Sequence, residues 1–185
     1  MINKPLLPVI VSLVALSSIT GCMSRAFKEA TEFGGKGSYS EISPLPGGPD
    51  STPLGAYTMF ELEQLADDSG GHTPQEMFAA LPDAFAEAIS EKGLPHISGK
   101  TLLVRGTVIY YESANLVGQA FGPLEEVVAR VQLVDEATGR VLGEANVVGR
   151  TKTTRNQSPR QKAVGLARGI VKWIDENFPE ELKVQ

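Results

Sequence analysis

The chain has one cysteine, Cys22, and only two histidines, His72 and His96, in 185 residues. A single thiol excludes any internal disulfide, so whatever folds is held by packing alone. With both histidines in turn-like regions and no third soft ligand at recognisable spacing, a structural metal site is excluded as well. The two imidazoles read as solvated loop residues. No apolar run reaches the roughly 20 residues that a bilayer-crossing helix needs. There is no Gly-x-Ser-x-Gly elbow, no Ser-x-x-Lys with its partner motifs, and no histidine placed for a catalytic triad. A net charge of −5 argues against nucleic acid as the main partner, because that footprint is usually basic.

Other paired residues carry no chemistry on inspection. Gly34-Gly35 and Gly47-Gly48 lie among prolines and serines instead of between a strand and a helix, so they are not phosphate cradles. Asp67-Asp68 and Glu125-Glu126 are adjacent pairs, and neighbours on a strand point to opposite faces, so Glu125 and Glu126 do not converge on one substrate. They read as exposed charge. The sequence therefore implies no catalytic residue, no metal and no cofactor, and the expected protein is not an enzyme.

What the chain does have begins at its amino end. Lys4 precedes an apolar run from Leu6 to Ile19, broken by Pro8 and closed by small residues, which is the layout of an export leader. Ile19-Thr20-Gly21-Cys22 resembles the lipobox of bacterial lipoproteins, in which the cysteine thiol takes a diacylglycerol and the peptide is cut before it. That resemblance implies a signal peptide over residues 1–21, lipidation at Cys22, and a membrane partner reached through the lipid. With each buried CH₂ contributing about 0.8 kcal/mol, two or three acyl chains hold a protein on a bilayer essentially permanently. By resemblance to the sorting rule in which an aspartate after the lipidated cysteine signals inner-membrane retention, Met23 implies the outer membrane, and the periplasmic face is expected over the exterior.

From Met23 to Ala56, glycine, serine and proline dominate, and residues 22–56 read as a lipidated flexible tether. Residues 57–178 read as one α+β domain, followed by a tail over 179–185. Tyr57 to Leu65 alternates apolar and polar residues, as does Leu124 to Asp135, while Thr101 to Tyr111 is rich in branched and aromatic residues. Asp135 to Arg140 is turn chemistry, with a returning strand from Val141 to Gly149. Thr73-Pro74-Gln75-Glu76 and Ser158-Pro159-Arg160-Gln161 read as capping boxes opening two helices. The first carries an apolar stripe of Phe78, Leu81, Phe85 and Ile89, should bend or divide at Pro82, and stops at Gly93. The second carries Ala163, Leu166, Ala167, Ile170 and Ile174, with Gly165 and Gly169 one turn apart where another element can approach closely. The expected fold is a mainly antiparallel four-stranded sheet with two helices packed on one face.

Three stretches together resemble the domain-of-unknown-function 4410 family of bacterial envelope lipoproteins: Gly99 to Gly106, Gly122 to Val128, and Thr138 to Asn146 running on to Val148-Gly149-Arg150. The resemblance covers about Ser98 to Ile174. It implies a fold similar to the penicillin-binding-protein activator lipoproteins and the curli secretion lipoprotein, and it carries over no catalytic residue, since the family has no established activity.

Charge is segregated along the chain. From Gly37 to Glu91 there is no lysine or arginine, and from Ala145 to Ile174 there is no acid. The last helix starts with Arg160 and Lys162 and ends with Asp175 and Glu176, against its macrodipole at both ends. Two readings follow. The acidic first helix neutralises the basic last one, or Arg150, Lys152, Arg155 and Arg160 form an anion-binding site for phosphate, a lipid head group or an acidic polymer. The function expected is that of a lipid-anchored accessory or adaptor lipoprotein with an envelope protein partner, the alternative being an anion-binding module.

Overall fold

The computed structural model describes residues 37–47, 51–112, 126–150 and 158–184. All belong to a compact unit running from Gly35 to Gln185. The strands are β1 (Ser38–Ser43), β2 (Met59–Leu62), β3 (Ala66–Asp67), β4 (Thr101–Tyr111), β5 (Glu126–Asp135) and β6 (Val141–Arg150), and the helices are α1 (Gln75–Glu91) and α2 (Pro159–Asp175). A short 3₁₀ turn, Glu180–Leu182, follows. The described strands form one six-stranded sheet in the order β1-β6-β5-β4-β2, with β3 also paired to β4.

The α+β class therefore holds, but the expected four-stranded, mainly antiparallel sheet does not. The sheet is mixed, because β2 and β3 both run parallel to β4. The physical reason lies in the connection: α1 separates β2 from β4, and a helical crossover returns the chain to the same end of the sheet. Of the strand read over Tyr57 to Leu65, only Met59–Leu62 is strand, and a second short piece, Ala66–Asp67, follows beyond it. Leu62 pairs with Val104 and Ala66 with Thr107, so four steps on the outer strand face three on β4. One residue bulges out between them, which bends the edge.

The sixth strand, β1, falls within the stretch whose composition reads as tether. It pairs antiparallel with β6, Ser38 opposite Val148 and Glu41 opposite Ala145. Its sequence shows no apolar alternation because its inward positions have an unusual neighbour. Trp173 of α2, fully buried, donates its indole N–H to Glu41 at 2.8 Å and faces the Tyr39 ring at 6.0 Å between centroids. A carboxylate is thus the right inward group there.

Both helices lie on one face. Their stripes meet the inward residues Val104, Ala129, Val131, Leu133, Ala145 and Val147 in one core. On α1, Met77, Ala84 and Ala88 join the expected Leu81, Phe85 and Ile89 as buried residues, while Phe78 is only half-buried. The helix runs unbroken through Pro82, whose exposed ring faces solvent. It ends as expected at Gly93 (φ 62°), where Leu94 N–H bonds the Ile89 carbonyl and Gly93 N–H that of Ser90, the Schellman pattern. Neither expected capping box makes a side-chain cap, since Thr73 instead bonds Ser69 and Ser158 caps nothing with its hydroxyl.

Four glycines explain how α2 sits so close. A Cβ on Gly37 would lie 2.0 Å from the Gly169 nitrogen, and one on Gly149 would lie 2.5 Å from the Leu166 nitrogen. A Cβ on Gly165 would meet the Arg150 carbonyl at 2.9 Å, and one on Gly169 would meet Val147 at 2.6 Å. Backbone packs on backbone along this seam.

Candidate functional site

Of the basic quartet, Arg150 closes the end of β6 opposite Glu126, and its guanidinium Nε lies 2.6 Å from that carboxylate in a part-buried pair. Arg160 is exposed on the first turn of α2. Lys152, Arg155 and the lipidation candidate Cys22 lie outside the described residues, as does Glu125. The first-turn Lys162, by contrast, is buried: its ammonium donates to the Glu112 carbonyl and stands 4.3 Å above the Tyr111 ring. A lysine in a polar helix start gives no sequence sign of this, because the groups that receive it come from the end of β4 and the residue after it.

The segregated charges meet across the two helices. Arg168 bonds Glu91 at 2.9 Å, and Lys92 bonds Asp175 at 2.7 Å. The chain end adds Lys183, 2.6 Å from Asp175, while Val184 N–H bonds the Gly93 carbonyl at 2.7 Å. Burial alone would raise the Asp175 carboxyl, but Lys183 and Lys92 hold it below the usual carboxylate value. Glu176 accepts the Tyr39 hydroxyl at 2.6 Å, and burial with that carboxylate pushes the phenol well above its ordinary range. The acids that oppose the α2 macrodipole are therefore each held by named partners.

His72 and His96 are exposed in turns, and no three His, Cys, Asp or Glu residues cluster for a metal among the described residues. Asp67 accepts the backbone N–H and hydroxyl of Ser69, forming a turn before α1, and those bonds lower its carboxyl.

Among the described residues the most heavily bonded carboxylate is Asp135, which ends β5 and is 2% exposed. It accepts from Lys100 at 2.7 Å, the Tyr57 hydroxyl at 2.8 Å, and both the hydroxyl (2.8 Å) and N–H (3.0 Å) of Thr138. Lys100 also stands 4.5 Å over the Tyr57 ring. With Lys100 first and Thr138 next, these donors hold the carboxyl far below its ordinary value, and burial with the Asp135 bond raises Tyr57. All its acceptor positions face the protein, so this is a staple joining the β2 entry, the β4 entry and the hairpin. A depressed folded value adds stability that is complete above about pH 4 and is lost as the pH falls below it. Asp135→Asn should lower the thermal midpoint at neutral pH and flatten its decline between roughly pH 4 and pH 2, read by calorimetry across that window.

A groove of about 320 Å³ opens at the β2 edge, between the bulge and the first half of α1. Leu62, Leu65, Phe78 and Pro82 give it an apolar lining, with Glu63 and Gln75 at its margins. On the opposite face of the sheet from the helices, side chains form a polar row: Glu63 bonds Arg105, which pairs in register with Gln132, which in turn bonds Glu144 at 2.8 Å.

The architecture is that of a small α+β domain with a one-sided helical layer. Solved structures share it, among them two PelC dodecamers from Paraburkholderia phytofirmans in different crystal forms. They align with TM-scores of 0.51 and 0.50 at 15% and 13% identity, covering 78% of this chain and 99% of theirs. No protein-family model matches the sequence, and no curated protein does.

Proposed function

We propose that this chain is a lipid-anchored accessory lipoprotein of the cell envelope that works through protein contacts. The observation that carries the reading is the one-sided layering: the helices cover one face of the sheet and leave the other clear of the described helices, crossed by the polar row of Glu63, Arg105, Gln132 and Glu144. The fold it shares with PelC, a protein described as a dodecamer, supports a part in an assembly. The lipobox-like Ile19-Thr20-Gly21-Cys22 and the resemblance to the 4410 family support the envelope and the outer membrane as its place. Anion binding is the second reading, favoured by Arg160, exposed on a helix start without a side-chain cap. It is weakened by Arg150, whose guanidinium bonds Glu126.

Two experiments test the proposal. Cys22→Ser should move the protein out of the envelope fraction when cells are fractionated, and equal retention of both forms would overturn the anchor. Photo-crosslinking from Asn146 on the open sheet face, in the anchored protein, should capture a defined protein reproducibly. Capture of none from any surface position would overturn the adaptor.

A further inference from the structure

We propose that the groove between the Leu62–Leu65 bulge and the first half of α1 docks a separate protein partner through a segment carrying one large apolar side chain flanked by lysine or arginine. This rests on the reading of the chain as an adaptor and names the surface and the kind of partner.

The shape comes from the bulge. Because the outer strand carries one residue more than β4 between its two pairings, the chain from Glu63 to Leu65 lies between the Leu62 and Ala66 pairings and, with Leu62, forms one wall of the groove against α1. Residues Gln75, Phe78, Ala79 and Pro82 recur at helical spacing and form the opposite wall. Phe78 and Leu62 are only half-buried, so apolar surface remains for one side chain to cover. A cavity of about 320 Å³ takes an aromatic or branched side chain with part of its backbone.

The charge selects the flanks. Every charged residue from Gly37 to Glu91 is acidic. Glu63, in the lining, has Arg105 as partner, and Glu91 has Arg168. Glu61, Asp68, Glu76, Asp83 and Glu87 are exposed and enter no ion pair among the described residues, and Glu76 and Asp83 adjoin the lining residues Gln75 and Pro82. A cationic flank is the complement to such a rim.

The probe is a short fluorescein-labelled peptide with one phenylalanine between two pairs of lysines, titrated by anisotropy against the full chain in a non-ionic detergent. Saturable binding is expected, weakened about tenfold or more by Glu76→Lys with Asp83→Lys and weakened again by added salt. Both residues are exposed, so circular dichroism should show the fold retained. Replacing the phenylalanine by alanine, or the lysines by glutamates, should abolish binding. Equal binding of either altered peptide, or binding indifferent to the double reversal, overturns the proposal. In cells, a photo-crosslinker at Ala79 should capture a protein whose crosslinked peptide holds an apolar residue between basic ones. Capture from Asn146 but not Ala79 overturns the groove and leaves the adaptor standing, whereas capture from no surface position overturns both. A crosslink from Ala79 to a second copy of this chain overturns the separate partner in favour of self-assembly.

Discussion

Trp173→Ala should lower the unfolding free energy by about 3–5 kcal/mol, the range for emptying the site of a buried large aromatic. The indole is fully buried, and it joins β1 to α2 through Tyr39 and Glu41. Removing it leaves a void between helix and sheet and takes away the inward partner of an edge strand that has few apolar contacts of its own. Trp173→Phe separates the two contributions. It keeps most of the volume and gives up the bond to Glu41, which is exposed enough to be hydrated, so about 1 kcal/mol should be lost. Urea unfolding followed by far-ultraviolet circular dichroism measures both, since tryptophan fluorescence goes with the residue. A loss below about 1 kcal/mol in the alanine variant would mean that β1 is not held by this ring.

Gly149→Ala should cost about 2–3 kcal/mol although it adds one methyl group. Its Cβ would stand 2.5 Å from the Leu166 nitrogen and 2.9 Å from the Leu166 Cα, both backbone atoms of a helix that cannot turn aside like a side chain. Either α2 lifts from β6 or β6 twists away from β5, and each movement opens the core beneath. The same change on an open strand would be neutral or mildly favourable, because glycine in a strand interior weakens it. Urea unfolding again decides, and a variant as stable as the parent would show that the seam is not closed as tightly as this geometry requires.

Features that depend on a periodic stripe were legible in the sequence. Ala163, Leu166, Ala167, Ile170 and Ile174 announce the buried face of α2, and all are fully buried. Gly165 and Gly169 announce a close approach, which Gly37 and β6 supply. The Asp135 to Arg140 turn announces its hairpin, closed by Asp135 N–H on the Arg140 carbonyl at 3.0 Å. What stayed hidden depends on partners far away in sequence. Glu41 is inward only because Trp173 offers it an N–H, and Lys162 is buried only because Tyr111 and Glu112 receive its ammonium. Tyr57, Lys100 and Asp135 show no spacing rule at all, since three separate strand ends bring them together. The parallel pairing was present as a strand, a helix and a strand in succession, but the hairpin signals further on outweighed it. The groove needs the one-residue mismatch at the β2 edge, and a mismatch exists only once both strands are placed.

Gly37, pressed against Gly165 and Gly169, also settles where mechanical load enters the folded body. A pull transmitted along the chain from upstream arrives at β1, where the helix backbone and the ladder to β6 share it. β2 with its bulge lies at the far margin of the sheet, four strands away in the pairing order. Tension applied ahead of β1 is therefore taken up at one margin of the sheet, away from the bulged edge.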